Sequence, residues 1–387
     1  MPIEFVTANR ILFGAGTLHD IGSVAASFGK RALVVTGSEP GRAAKLISLL
    51  NQSGLGAVVF PVRGEPELAT VKEGVAIAKR EGCELVISFG GGSAIDAGKA
   101  IAAMLTNPGK LLDYLEIIGR GETLRQSPAP FIAIPTTAGT GAEVTRNAVL
   151  ASPEHRVKVS LRSPLMLPRV ALVDPELALG LPPHITAAAG LDALTQLIEP
   201  FISCRANAMT DTLCPEGIRR VVMSLRTAFA DGTHLAAREN MALASLWSGM
   251  ALANAGLGAV HGFAGPIGGM FPAPHGAVCA ALLPHVMTVN LRALKARKPD
   301  SEQLRKFDEV ARLLTGNPNA SASDGVRWLA ELVRDLEIAP LSRYGILESH
   351  VDELVEKATA ASSMKGNPLP LTADELKAAL AAAITGV

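Results

Sequence analysis

Residues 85–99 read LVISFGGGSAIDAGK. Residues 85–89 form an apolar run without the alternating polar positions of a half-exposed strand, the pattern of a strand covered on both faces. Gly90, Gly91 and Gly92 end that run, and helical composition resumes by Ala94. A buried strand passing through glycines into a helix is the βα unit of a parallel sheet. The glycines let backbone amides approach an anion closely, and a helix N-terminus adds partial positive charge, so a pyrophosphate would sit well there. The same residues also fit a tight strand-to-helix turn that binds nothing. Two familiar phosphate loops are excluded. Ala100 follows Lys99 where a Walker A loop needs Ser or Thr, and Ile95 stands where GxGxxG has its third glycine.

Working outward, the chain repeats this alternation. RALVVTG (31–37), AVVF (57–60) and FIAIP (131–135) read as strands, with helical patterns over 42–52 and 66–81 between them. RVKVSL (156–161) and VALVD (170–174) add strands. LPPHITAAAGLDALTQLIEPFI (181–202) then opens a long stretch of helical composition with few strand signals. The expected organisation is an α/β domain with a parallel, Rossmann-like sheet over residues 1–181 and an all-helical domain over 182–387. No internal repeat or low-complexity tract interrupts it.

Composition narrows the function. Lys plus Arg (36) equals Asp plus Glu (36), so no excess field draws nucleic acid or an anionic membrane. Aromatic residues at 4% leave little for base-stacking platforms. Residues 240–291 contain no Asp, Glu, Lys or Arg, but Gly, Pro, Asn and His interrupt them throughout. That pattern predicts buried helices lining an interior site rather than a membrane span. Cys83, Cys204, Cys214 and Cys279 show neither CxxC spacing nor a framework, which predicts free thiols in a reducing compartment. The first residues, MPIEFVTANRILFG, carry Glu4 and Arg10 and lack the pattern of a signal peptide, so a cytoplasmic location is expected.

Two further groups carry chemistry. Thr136, Thr137, Ala138, Gly139, Thr140 and Gly141 follow FIAIP at the carboxyl end of a strand, where ligands bind in open α/β sheets. Such a cluster is also found in plain loops. His261 and His275 sit in the charge-free region, each followed by Gly, and Asp192 opens an apolar helix with Gln196 one turn later. Two imidazoles and a carboxylate would hold Fe²⁺ or Zn²⁺ and leave a position open for a substrate oxygen. Buried histidines also serve as ordinary hydrogen-bonding groups. His285, in LLPHVM, is a further candidate, whereas His19, His155, His184, His234 and His350 lie among surface-like residues.

Several motifs occur in one order: FGAGT near Gly14, GGGSAIDAGK, IPTTAGTGAEVT, PRVALVDPEL, GLDALTQLIE, AGLGAVHGFAGPIGG, PHGAVCAALLPHVM and NPLPLTADEL. With them the chain resembles the iron-containing (group III) alcohol dehydrogenase family over nearly its whole length. The resemblance implies an N-terminal dinucleotide-binding domain, a helical metal-binding domain and reversible, metal-assisted hydride transfer between NAD or NADP and an alcohol or carbonyl substrate. It also implies a homo-oligomer, dimeric or larger. By the same resemblance Gly91, Gly92 and Ser93 hold the pyrophosphate, and Thr136, Thr137 and Thr140 contact the nucleotide. Lys158 reaches the ribose near the nicotinamide, and Asp96 matches the family's Asp in the helix after the glycines. Asp192, His261 and His275 fall on three metal-ligand positions. At the fourth, where the family usually has His, this chain has Gln196, a poorer ligand. Gly265 stands where many members have a second His. Where NAD-preferring members carry an Asp that binds the ribose 2′-hydroxyl, this chain has Gly37 followed by Ser38, which opens the site to NADP. Alternative readings are a maleylacetate-reductase-like enzyme, with Arg146 or Arg162 holding a substrate carboxylate, and a non-catalytic nucleotide-binding protein.

Overall fold

The apolar runs separated by glycine and helical segments form a parallel sheet because neither of their faces tolerates water. The computed structural model describes residues 3–387. One compact unit comprises residues 7–137 and 141–179. Its elements are β1 (Ile11–Phe13), α1 (Ile21–Ala26), β2 (Arg31–Thr36), α2 (Ala44–Gln52), β3 (Gly56–Pro61), α3 (Leu68–Arg80), β4 (Leu85–Gly90), α4 (Gly92–Thr106), α5 (Leu111–Tyr114), β5 (Phe131–Pro135), β6 (Asn147–Ser152), β7 (Val157–Arg162) and β8 (Val170–Val173).

The six strands of the main sheet lie in the order β1-β8-β5-β4-β2-β3, and every pairing is parallel. Successive side chains enter opposite cores, as strand geometry requires. Leu33, Val35, Val86, Phe131 and Ala133 join one core with α3 and α4. Ala32, Val34, Ile87, Ile132 and Ile134 join the other with Ile21, Leu46 and Leu50. The chain leaves β2 toward β3 and leaves β4 toward β5, in opposite directions along the sheet. The topological switch point therefore lies between the carboxyl ends of β2 and β4, the place where open α/β sheets bind ligands.

RVKVSL forms a strand, but not in this sheet. It is β7, paired antiparallel with β6 from Asn147↔Arg162 to Ser152↔Val157. Val159 and Leu161 are buried and Ser160 between them is partly exposed, while the Lys158 side chain is covered in its ion pair with Glu65. The hairpin turn places Arg156 in the left-handed region at φ 52°.

The other unit comprises residues 180–387 with residues 3–6 and 138–140. Its helices are α6 (Pro183–Ile202), α7 (Ala208–Ala230), α8 (Leu235–Ala255), α9 (Ala259–Met270), α10 (His275–Arg297), α11 (Glu302–Thr315), α12 (Ala322–Asp335), α13 (Val351–Ala360) and α14 (Ala373–Thr385). Among the described residues one helix, α10, is long and apolar enough to cross a membrane, and most of it is buried inside this helical unit. Charge-free residues 240–291 thus supply most of α8, all of α9 and most of α10. The chain bends by 99° between α8 and α9. Gly256 makes that bend at φ 71°, a conformation that costs glycine little.

Candidate functional site

In the α/β unit, Gly91 is the residue before α4, and no side chain caps that helix. Helix geometry leaves the amides of Gly92, Ser93 and Ala94 without intrahelical acceptors, donors of the kind that can receive an anion. Thr136 N–H donates to Gly90 O at 3.0 Å, which ties the threonine loop after β5 to the glycine turn. Close approach explains the glycines. A Cβ on Gly90 would lie 2.7 Å from that of Ala94, and one on Gly91 would lie 3.2 Å from Thr137 Oγ1. A Cβ on Gly98 would stand 1.9 Å from Ser88 Oγ on β4. Gly98 therefore lets α4 lie close to the sheet, the task of the third glycine in GxGxxG, carried here one turn later than Ile95. Gly37 follows β2 directly, and a side chain there would meet nothing within 4 Å. Ser38 beside it is exposed.

Asp96 and Lys158 both have protein partners. Asp96 Oδ2 accepts from Val149 N at 3.0 Å, and Lys158 Nζ pairs with Glu65 Oε1 at 2.9 Å. Lys99, fully buried, donates to Thr145 Oγ1 at 2.8 Å and Asn147 O at 2.7 Å, and its Nζ is 3.6 Å from Asp96 Oδ1. These bonds fasten the β6–β7 hairpin over α4. Burial pushes Glu143 up to about 7 even though Lys99 pulls the other way. Burial also raises Asp96 and lowers Lys99. Arg162 is half exposed and 3.4 Å from Glu116.

The helical unit brings together the second group. On α6, Asp192, Gln196 and Glu199 lie four and three residues apart along one buried face. His261 enters in the first turn of α9, while His275 opens α10 with Cys279 one turn later. Asp192 Oδ1 is 3.3 Å from His261 Nε2 and 3.8 Å from His275 Nε2. Cys279 Sγ is 3.7 Å from each of those nitrogens. Donor atoms of all four residues lie within 4.8 Å of one another, a set suited to a metal ion. The glycine after each histidine permits the approach. A Cβ on Gly276 would be 2.6 Å from Ala188 O of α6, and one on Gly262 would be 2.7 Å from Met364 Cε.

Glu199 orients His261. Its Oε2 is 2.7 Å from His261 Nδ1, and its Oε1 accepts from Val260 N at 2.7 Å. A carboxylate can only accept, so Nδ1 carries a proton, and loss of the second proton on metal binding leaves the Nε2 lone pair facing Asp192 and Cys279. Asn367 Oδ1 accepts from the neighbouring amide of Ala259 at 3.1 Å, and its amide nitrogen donates to Asn290 Oδ1 at 2.7 Å and Leu369 O at 2.9 Å. Glu199 and Asn367 thus satisfy the first amides of α9. A Cβ on Gly258 would collide with both, at 2.8 and 2.9 Å.

Charge follows from this packing. Burial alone would raise Asp192, but His275, His261 and a hydrogen bond with Gln196 outweigh it and hold the carboxyl below its usual range. Burial opposes protonation of His261, yet Cys279, Asp192 and Glu199 raise it well above an ordinary histidine. His275 is raised against its burial by Cys279 and Asp192. Gln196 bonds Asp192 through its side chain, and its Oε1 accepts from Ser248 Oγ at 3.5 Å. A side chain at Gly265 would meet nothing within 4 Å. His285 lies outside the donor set: its Nε2 has no partner among the described residues, and burial lowers its pKa. Sequence reasoning missed Cys279 and Glu199, although their same-face spacings from His275 and Asp192 were a usable signal.

Comparison with known proteins fits this construction. Residues 8–175 match the family described as iron-containing alcohol dehydrogenase, and residues 186–384 match the Fe-containing alcohol dehydrogenase family, C-terminal. The chain therefore belongs to the iron-containing alcohol dehydrogenase family, as the sequence motifs imply, and is an alcohol/aldehyde oxidoreductase. It is 36% identical over 378 residues to 1,3-propanediol dehydrogenase of Klebsiella pneumoniae, covering 94% of both chains. It is 34% identical over 385 residues to alcohol dehydrogenase 4 of Saccharomyces cerevisiae (strain YJM789), covering 97% of this chain and 95% of that one. A crystal structure of 1,3-propanediol oxidoreductase matches with a TM-score of 0.92 at 35% identity, over 99% of this chain and 100% of that one.

Proposed function

We propose that the chain interconverts an alcohol and its carbonyl product by hydride exchange with a nicotinamide coenzyme, with a divalent metal held by Asp192, His261 and His275. The observation that carries this reading is the convergence of Asp192 Oδ1 with two imidazole Nε2 atoms at 3.3 and 3.8 Å. When bound, the metal supplies Lewis-acid polarisation of the substrate oxygen and the coenzyme accepts or delivers the hydride. Asp192 contributes negative charge to the donor set, and Glu199 keeps the His261 proton away from it. No charged side chain occurs in residues 240–291, and such surroundings strengthen the electrostatic interactions of the donors.

Gly91, Gly92 and Ser93 would receive the coenzyme pyrophosphate at the first turn of α4, with Thr136, Thr137 and Thr140 beside the nucleotide. Lys158 would offer its ammonium, already held by Glu65, to a ribose hydroxyl. The open space at Gly37 and the exposed Ser38 hydroxyl favour NADP, because nothing at that position repels a 2′-phosphate. All four cysteines are free, which supports a reducing, cytoplasmic setting. The ion pair of Arg162 with Glu116 weighs against its use as a carboxylate clamp for a keto acid.

The test is elemental analysis of protein purified without chelator, joined to an aldehyde and keto-acid panel with NADH and NADPH. About one Fe or Zn per chain is expected, with turnover of aldehydes. His261→Ala should lose both metal and turnover, and a variant that keeps full activity would refute the assignment.

A further inference from the structure

We infer that Cys279 is a metal ligand of this enzyme, supplying as a thiolate the fourth donor beside Asp192, His261 and His275. This rests on the metal-assisted reading above and deepens it. A tetrahedral site with metal–N and metal–O bonds of about 2.0–2.1 Å and a metal–S bond of about 2.3 Å has N/O edges of about 3.4 Å and N–S edges of about 3.6 Å. The edges found are 3.3 and 3.8 Å from Asp192 Oδ1 to the two Nε2 atoms, and 3.7 Å from Cys279 Sγ to each of them. Four of the six edges thus match, and the other two lie within 4.8 Å, so the sulfur takes the fourth corner and a substrate oxygen would enter as a fifth ligand.

Gln196 is not so placed. Its side chain bonds Asp192, and its Oε1 faces Ser248 Oγ at 3.5 Å. It acts as a positioning residue that steadies Asp192, while Cys279 makes up the donor that Gln196 cannot readily give. The exchange has a cause in the fold. Cys279 lies one turn after His275 on α10 and is fully buried, and its i, i+4 spacing sends both side chains to the same point.

On metal binding the Sγ–H bond breaks, the sulfur electron pair forms the bond to the cation, and the proton leaves to solvent. A site of two imidazoles, one carboxylate and one thiolate is softer than one of imidazoles and carboxylate alone. It will hold Zn²⁺ or Co²⁺ in preference to Fe²⁺.

The experiment uses the full chain, stripped with chelator and reloaded with Co²⁺ alone. Bound cobalt is measured by elemental analysis, and the near-ultraviolet spectrum is read for a thiolate-to-Co²⁺ charge-transfer band. The wild type should show the band at about one cobalt per chain. Cys279→Ser should lose the band, and Cys204→Ser, altered at an exposed cysteine, should keep it. X-ray absorption of the zinc-loaded wild type needs no variant, and should resolve one sulfur scatterer at about 2.3 Å. Bound cobalt without the band, a band that persists in Cys279→Ser, or zinc with only nitrogen and oxygen neighbours would overturn the ligand assignment and leave the metal-assisted function standing. A wild type that takes up neither metal would overturn both.

Discussion

Replacing Glu199 by Gln should weaken metal binding although Glu199 belongs to neither the donor set nor the coenzyme loop. Its carboxylate accepts two hydrogen bonds at 2.7 Å, from Val260 N and from His261 Nδ1. Gln has one oxygen, and Val260 N–H, in the first turn of α9, needs an acceptor. With the Gln oxygen kept on Val260, the amide nitrogen faces Nδ1 and can only donate. Nδ1 must then accept, the imidazole proton moves to Nε2, and the lone pair aimed at the donor cluster disappears. The opposite amide orientation leaves Val260 N–H facing an NH₂ group and unpaired, at a cost of about 1–3 kcal/mol. Loss of such an orienting partner lowers metal affinity about 10–100-fold, equivalent to about 1.4–2.7 kcal/mol. Competition of Zn²⁺ against a chromophoric chelator at neutral pH measures this, with thermal unfolding of the chelated protein to show that the variant folds. An affinity within about twofold of wild type, well under the 10-fold floor of that range, would refute the tautomer argument.

Gly37→Asp should move coenzyme preference toward NAD, since the new carboxylate enters open space and repels a 2′-phosphate; an unchanged ratio of kcat/KM for NADH and NADPH would refute this. Glu143 has a folded pKa of about 7 against an ordinary 4.5, so the native state holds its proton more tightly than the unfolded chain. Its contribution to stability is intact below about pH 4.5 and falls by about 3 kcal/mol as pH rises to about 7. Glu143→Gln should remove that slope, so Tm of the variant should gain on wild type between these pH values; parallel curves would argue against it. Gly98→Ala places a Cβ 1.9 Å from Ser88 Oγ, and such overpacking costs about 1–3 kcal/mol. Denaturant unfolding should show part of that loss recovered in the double variant Gly98→Ala/Ser88→Ala, and additive losses would refute the contact.

The sheet was readable because its evidence is local. A strand covered on both faces and a glycine turn each announce themselves within a few residues, as at residues 85–92. The β6–β7 hairpin was not, since RVKVSL carries strand composition without naming its partner, and only its alternation of Lys158 and Ser160 with Val159 and Leu161 hints at a single covered face. At the candidate metal site the sequence offered Asp192, His261, His275 and Gln196, while Cys279 read only as a free thiol. Donor geometry there depends on how α6, α9 and α10 meet, and the glycines that allow this meeting act through contacts remote in the chain. Glu199 and Asn367 sat within recognised motifs, yet their tasks emerge only once the first turn of α9 has amides to satisfy.

Asn367 also sets a schedule. It accepts from the amide of Ala259, 108 residues earlier, and so helps close the turn that carries His261. At about 5–20 residues per second, a ribosome adds Asn367 roughly 5–20 s after Ala259. During that interval Asp192 and both histidines have been made, while the turn that aims His261 still lacks one of its two acceptors. A metal bound in the native arrangement would therefore be taken up late in the birth of the chain, after a segment that contributes no ligand. A ribosome stalled before Asn367 would hold a nascent protein with all its donor side chains and an unfinished site.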